Sequence, residues 1–155
     1  MTQEKKLLVS AIKNGTVIDH IDAGHALKII RILNLADHQK VVTVGLNLPS
    51  RAMKFKDIIK VEGRELTPEE ANRVAILAPT ANLNIIRNYE VVKKFNLKLP
   101  EKIDHLLVCP NLKCITNHEP MDSSFAVLPA GHEVKVKCVY CEKTFHQNEI
   151  QEYKI

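Results

Sequence analysis

Cys109-Pro-Asn-Leu-Lys-Cys114 and Cys138-Val-Tyr-Cys141, 23 residues apart, contain all four cysteines of this 155-residue chain. A tight turn between two closely spaced cysteines points both sulfurs at one centre, and two such knuckles supply four thiolates. That spacing predicts one metal site built from Cys109, Cys114, Cys138 and Cys141. Two disulfides would need an oxidising compartment. The opening MTQEKKLLVSAIKNG has no apolar core of a signal peptide, and no apolar run reaches the ~18 residues of a membrane span. A cytoplasmic chain with a structural Zn²⁺, one per chain, is the expectation. Four sulfur ligands leave no open coordination position for water or substrate.

The ~50 residues around these knuckles form too short a segment to fold comfortably on apolar burial alone. Strands are expected at Ser124–Leu128 and Glu133–Lys137, joined by Pro129-Ala130-Gly131, with the second delivering Cys138 and Cys141. This reads as a small zinc-ribbon-like β domain over residues 101–155. His118, His132 and His146 are expected to be surface residues rather than ligands. Upstream, 96–104 (NLKLPEKID) lacks periodicity, contains Pro100, and marks the domain boundary.

Residues 1–100 read as a different structure. The apolar run 7–12 (LLVSAI) leads to Asn14-Gly15, a type I′ hairpin signal. Thr16–Ile21 alternates as a strand, and Asp22 is placed to cap a helix striped by Ala26, Leu27, Ile30 and Leu33. Lys40–Leu48 is a second strand closed by Pro49, and Lys54–Glu62 a third. On the third, Lys56, Ile58 and Lys60 share a face, the lysines ~13 Å apart. Thr67-Pro68-Glu69-Glu70 has the composition of a capping box with proline at the first helical position. That helix ends before Pro79. Residues 81–86 form a fourth strand, Arg87-Asn88 a turn, and Tyr89–Phe95 a fifth strand. The order β-α-β-β-α-β, with a strand added at each end, predicts an α+β ferredoxin-like domain: an antiparallel sheet with both helices on one face.

Charge divides the same way. Residues 1–100 carry 16 Lys/Arg against 10 Asp/Glu, whereas residues 101–155 carry 6 against 8. The basic half suits an anionic ligand. No phosphate-binding glycine loop, dinucleotide fingerprint, H-E-x-x-H or nucleophile elbow is present, so the chain is expected not to be an enzyme. Charges do interrupt the apolar strands: Asp19-His20, Lys56, Lys60 and Lys93-Lys94. A carboxylate among lysines can hold a ribose hydroxyl while the cations neutralise phosphates. Alternation alone favours placing these charges on the solvent face of a one-sided sheet.

Taken together, the chain resembles the regulatory chain of aspartate carbamoyltransferase. The resemblance is carried by GTVIDHI (15–21), TVGLNLPS (43–50), KDIIK (56–60), NYEVV (88–92), LVCPN-x-x-CI (107–115), EP-x-x-SSFAV (119–127) and KC-x-YCEK (137–143). It implies a non-catalytic subunit in pyrimidine biosynthesis whose N-terminal domain binds CTP as inhibitor and ATP as activator. Its zinc domain would contact the catalytic chain, and regulatory homodimers, paired through N-terminal domains, would bridge catalytic trimers. The resemblance places Asp19 and Lys60 at the ribose and base, Lys94 and His20 at the phosphates, and Lys56 beside them. Backbone groups of Ile12 and Tyr89 would read the base edge, with Val17, Asn84 and Val91 lining the pocket. UTP is a further ligand it admits; of residues 1–6 only Lys6 suits a second nucleotide position. A nucleic-acid-binding protein with a zinc ribbon is the alternative. RNA readers of this fold stack bases on aromatics of the central strands, where this sequence offers little beyond Phe55 at an edge. Neither nucleic acid nor membrane is therefore an expected partner.

Overall fold

The computed structural model describes residues 9–37, 39–130 and 133–151. Lys6, Leu7, Leu8 and His132 lie outside these residues, as does Gly131 of the expected second turn. Nine strands and two α-helices are formed among the described residues. The first sheet contains β1 (Gly15–Asp22), β2 (Val42–Ser50), β3 (Lys54–Glu62), β4 (Asn82–Arg87) and β5 (Glu90–Phe95). Its order is β2-β3-β1-β4-β5, all pairs antiparallel. The first four strands have the order of the ferredoxin-like plan, with β5 added at one edge.

Helices α1 (Ala26–Ile32) and α2 (Pro68–Leu77) cover one face of this sheet. Ile18, Ile59, Val61, Leu83 and Ile85 from the strands meet Ala26, Ile29, Ile32, Ala71, Val74 and Leu77 from the helices, all 4% exposed or less. Each fully buried isoleucine or leucine contributes roughly 2 kcal/mol by removing apolar surface from water. The start of α2 is as its composition predicts. Thr67 accepts from the Glu70 N–H, Glu70 accepts from the Thr67 N–H, and Pro68 opens the helix.

Helix α1 departs from expectation. Leu27 is exposed, and the buried stripe is Ala26, Ile29, Ile32 and Leu33. The Asp22 side chain does not cap it. Instead the fully buried carboxylate of Asp57, on β3, accepts from the N–H groups of Gly24 (2.9 Å) and Ala26 (3.2 Å) with one oxygen. Its other oxygen accepts from Asn47 N–H at 2.9 Å. A short helix without its own cap is thus started from a neighbouring strand.

The turns also differ. Asn14-Gly15 does not make a hairpin: residues 9–12 form no strand, and Gly15 simply opens β1. At its φ of +141° a Cβ would lie 1.9 Å from the Val61 carbonyl oxygen, so glycine serves close backbone approach there. The I′-like turn lies between β4 and β5, where Asn88 (φ 51°) and Tyr89 (φ 65°) are both left-handed. Strand β2 runs past Pro49, which pairs with Phe55 on the sheet edge, after a bulge at left-handed Asn47.

The second sheet, β6-β7-β8-β9, is smaller. Strands β7 (Ser124–Ala130) and β8 (Glu133–Cys138) form the expected hairpin. β6 (Lys102–Asp104) emerges from the stretch read as linker, and β9 (Thr144–His146) was not foreseen. At three residues each, neither carries a readable alternation. Phe125, Leu107, Val134 and Val136 are buried around the cysteines.

Candidate metal centre and charged sheet face

The two knuckles converge. The sulfurs of Cys109, Cys114, Cys138 and Cys141 all lie within 4.8 Å of one another, and none is in a disulfide. Two pairs taken across the knuckles, Cys109–Cys141 and Cys114–Cys138, stand at 3.8 Å. Metal–sulfur bonds of about 2.3 Å in a regular tetrahedron give an edge of about 3.8 Å. The donor set therefore fits a thiophilic, tetrahedral cation.

The turns that aim the sulfurs are held by local hydrogen bonds. In the first, Cys114 N–H donates to Asn111 C=O, and Asn117 Nδ2 donates to the carbonyls of Cys109 (3.0 Å) and Asn111 (2.8 Å). In the second, Glu142, left-handed at φ 61°, donates its N–H to Cys138 C=O. Burial pushes the Cys109 and Cys138 thiols up. At Cys141 burial acts the same way but is outweighed, first by the Lys143 N–H, and the thiol is lowered to about 7. Four thiolates in so enclosed a space require a compensating positive charge. Asn111 and Asn117 were not anticipated; the Asn two residues after Cys109 was the available signal. Of the nearby histidines, His118 bonds the Leu112 carbonyl and His146 caps the turn at Gln147–Glu149.

On the first sheet, the face turned away from the helices carries the charged residues. Register places Thr43, Lys60, Val17, Asn84 and Lys94 in one row across all five strands. Val91 joins the same face opposite Ile86, after a bulge in the β4–β5 pairing. Asp19 pairs with Lys56 at 2.9 Å and accepts from the His20 N–H. His20 sits at the β1 bulge with φ 57°, its Nδ1 3.0 Å from Asn82 Nδ2. With that amide donating, the proton of the neutral ring lies on Nε2.

Lys60 is the least solvated of these cations, at 8% exposure. Its ammonium donates to the carbonyls of Val9 (3.1 Å) and Ser10 (2.9 Å), so residues 9–12 lie over this face and bury Ile12. Burial lowers the Lys60 pKa, partly offset by the nearby charge of Asp19. Tyr89 is two-thirds exposed, and its N–H is taken by the Lys13 carbonyl. Lys94, at the edge strand, is exposed. The structure thus brings Asp19, His20 and Lys56 into one bonded group and lines Lys60, Val17, Asn84 and Lys94 across the strands beside it. Asp57 and Asn82 were missed. A charged residue on the core-facing parity of β3, between Lys56 and Ile58, was the signal for Asp57.

A family model described as the aspartate carbamoyltransferase regulatory chain, allosteric domain, matches residues 7–98. A second, the metal binding domain of the same regulatory chain, matches residues 101–151. The chain belongs to the aspartate carbamoyltransferase regulatory-chain family. An aspartate carbamoyltransferase regulatory chain from Photobacterium profundum is 48% identical over 152 residues, 98% of this chain and 99% of that one. One from Yersinia pseudotuberculosis is 52% identical over 145 residues, 94% of each. These relatives are regulatory chains, not catalytic ones, and the cysteine cluster falls within the match to the metal-binding domain. No helix among the described residues is long and apolar enough to cross a membrane.

Proposed function

We propose that this chain is the nucleotide-sensing subunit of aspartate carbamoyltransferase in pyrimidine biosynthesis, working in the cytoplasm. Residues 1–100 bind CTP as inhibitor and ATP as activator. Residues 101–155, held by one structural Zn²⁺ on the four cysteines, dock on the catalytic chain. Homodimers formed through the N-terminal domains bridge catalytic trimers. The observation that carries the reading is the charged row and its neighbours on the helix-free face. A carboxylate, Asp19, lies within one bonded group with Lys56, while Lys60 and Lys94 stand in line across the same sheet. Such a face can take a ribose hydroxyl on Asp19 and a phosphate chain on His20, Lys56 and Lys94. Val17, Asn84 and Val91 would form the floor, and the backbone of Ile12 and Tyr89 the base edge.

Regulation follows as linkage. A nucleotide shifts the enzyme only by the difference in its affinity for the low- and high-activity states, typically 1–3 kcal/mol per coupled pair of sites. The zinc supplies charge neutralisation and cross-linking; Asn111, Asn117 and the turn amides orient the sulfurs. The test is CTP titration of the chain assembled with its catalytic subunit. Lys94→Ala is expected to weaken CTP binding by about tenfold, a charged phosphate contact being worth roughly 1.5 kcal/mol. Unchanged CTP affinity in that variant would remove Lys94 from the site. Salt-sensitive RNA binding without CTP binding would favour the nucleic-acid reading instead.

A further inference from the structure

The segment beneath the charged face is tied to the metal-bearing sheet by a side-chain contact. His25 Nε2 lies 3.1 Å from Oδ1 of Asn148, in the turn Gln147–Glu149 that follows β9. His25 is half-buried, and its other ring nitrogen, Nδ1, is fully buried with no hydrogen-bond partner. The ring nitrogen facing Asn148 therefore carries the polar interaction of this side chain, and as the donor it satisfies the amide oxygen.

Both ends of the contact are anchored. On one side, the amides of Gly24 and Ala26, flanking His25, are held by the buried Asp57 carboxylate. Asp57 follows Lys56, whose ammonium pairs with Asp19 on the opposite face of the sheet. On the other side, Asn148 N–H donates to His146 Nδ1, and Glu149 accepts from the His146 N–H. His146 ends β9, which pairs with β8, the strand that ends in Cys138. A displacement of Lys56 on ligand binding reaches Asp57 through one peptide bond, then the start of α1, then His25.

We infer that His25 and Asn148 form a polar latch between the effector-binding sheet and the metal-bearing sheet, and that this latch carries part of the effector response. It acts beside the covalent connection at residues 96–101. This rests on the nucleotide-sensing reading above. His25 and Asn148 are positioning residues; neither lies on the charged face or among the metal ligands.

The experiment uses the assembled regulatory–catalytic complex carrying His25→Ala, Asn148→Ala, both together, or His25→Gln. CTP dissociation constant, metal content and inhibition at saturating CTP are measured for each. Metal content is expected to stay at the wild-type value, and CTP affinity measured without substrate to change by no more than the fivefold that linkage allows. Inhibition should fall by about fivefold in each alanine variant, the low end of ordinary allosteric coupling. The double variant should be no worse than either single one, because both remove the same contact. A glutamine side chain offers an amide donor in place of the ring N–H, so His25→Gln should regain most of the response. Amide exchange in residues 147–149 should quicken in His25→Ala, and exchange in 24–29 should quicken in Asn148→Ala.

Wild-type inhibition in both single variants would overturn the role in signalling, and so would losses that multiply in the double variant. Absence of the reciprocal exchange changes would overturn the latch itself. If His25→Ala does not fold, Asn148→Ala and His25→Gln decide both points. A wild-type complex that fails to bind CTP would instead overturn the nucleotide-sensing reading and the signalling role with it, while exchange still decides the latch.

Discussion

The two sheets of this chain are stabilised in opposite ways. In the first, two helices seal one face of five strands, and eight of the twelve largest fully buried side chains among the described residues belong to it or to the helical segments packed on it: Ile18, Ile21, Ile29, Leu35, Ile59, Leu83, Val61 and Val74. The second contributes four, Phe125, Leu107, Val134 and Val136, and two of its four strands are only three residues long. One sheet can be held by apolar burial, leaving its other face available for charges. In the other a smaller set of buried side chains surrounds the four sulfurs. Sensitivity to solvent conditions should therefore be divided along the chain: the first sheet answers to core and cap mutations, the second to metal.

The largest effect should come from removing the metal. Chelation, or Cys114→Ser, is expected to abolish amide-exchange protection in β7 and β8 while β1, β3 and β4 keep theirs. Structural Zn²⁺ is worth on the order of 10 kcal/mol in small sites, more than a domain of this size can spare. Persistent protection in β7 and β8 after verified metal loss would break the comparison. Next in size is Asp57→Ala. Three backbone N–H groups lose their acceptor, two of them at the start of α1. A loss of about 3 kcal/mol is expected, confined to the transition of the first sheet. Thermal unfolding with metal present checks this, and an equal shift in the second sheet would show that the two are not separable. The smallest is Thr67→Ala, which deletes half of the α2 capping box. About 1 kcal/mol should go, again from the first sheet alone, read as a shift in its denaturation midpoint.

The same division explains what could be read in advance. The knuckles, the capping box of α2 and strands β1, β3, β4, β7 and β8 rest on local chemistry: spacing, proline and threonine at fixed offsets, alternation over five or more residues. Those features travel with the sequence. The α1 cap does not, because its acceptor is Asp57, 31 residues from Ala26. Strands β6 and β9 are too short to alternate, and they exist because the β7–β8 hairpin offers two edges. Leu27 faces solvent rather than the core; α1 spans only seven residues, and a stripe that short is compatible with more than one rotation. On the charged face, residue types could be read but their grouping could not. The Lys60 ammonium meeting the Val9 and Ser10 carbonyls, or Asn82 reaching His20, depends on register and bulges that no short window contains.

The row from Lys60 to Lys94 has a mechanical consequence. It runs across the strands, through Val17 and Asn84, rather than along any one of them. A molecule gripped at both ends of it bridges three inter-strand gaps, about 14 Å. It would act as a brace on the sheet, loaded whenever neighbouring strands slide or twist relative to one another. Two ligands gripped by the same residues but differing in length would set that brace at different tensions. One surface could then report opposite messages without exchanging a single contact residue.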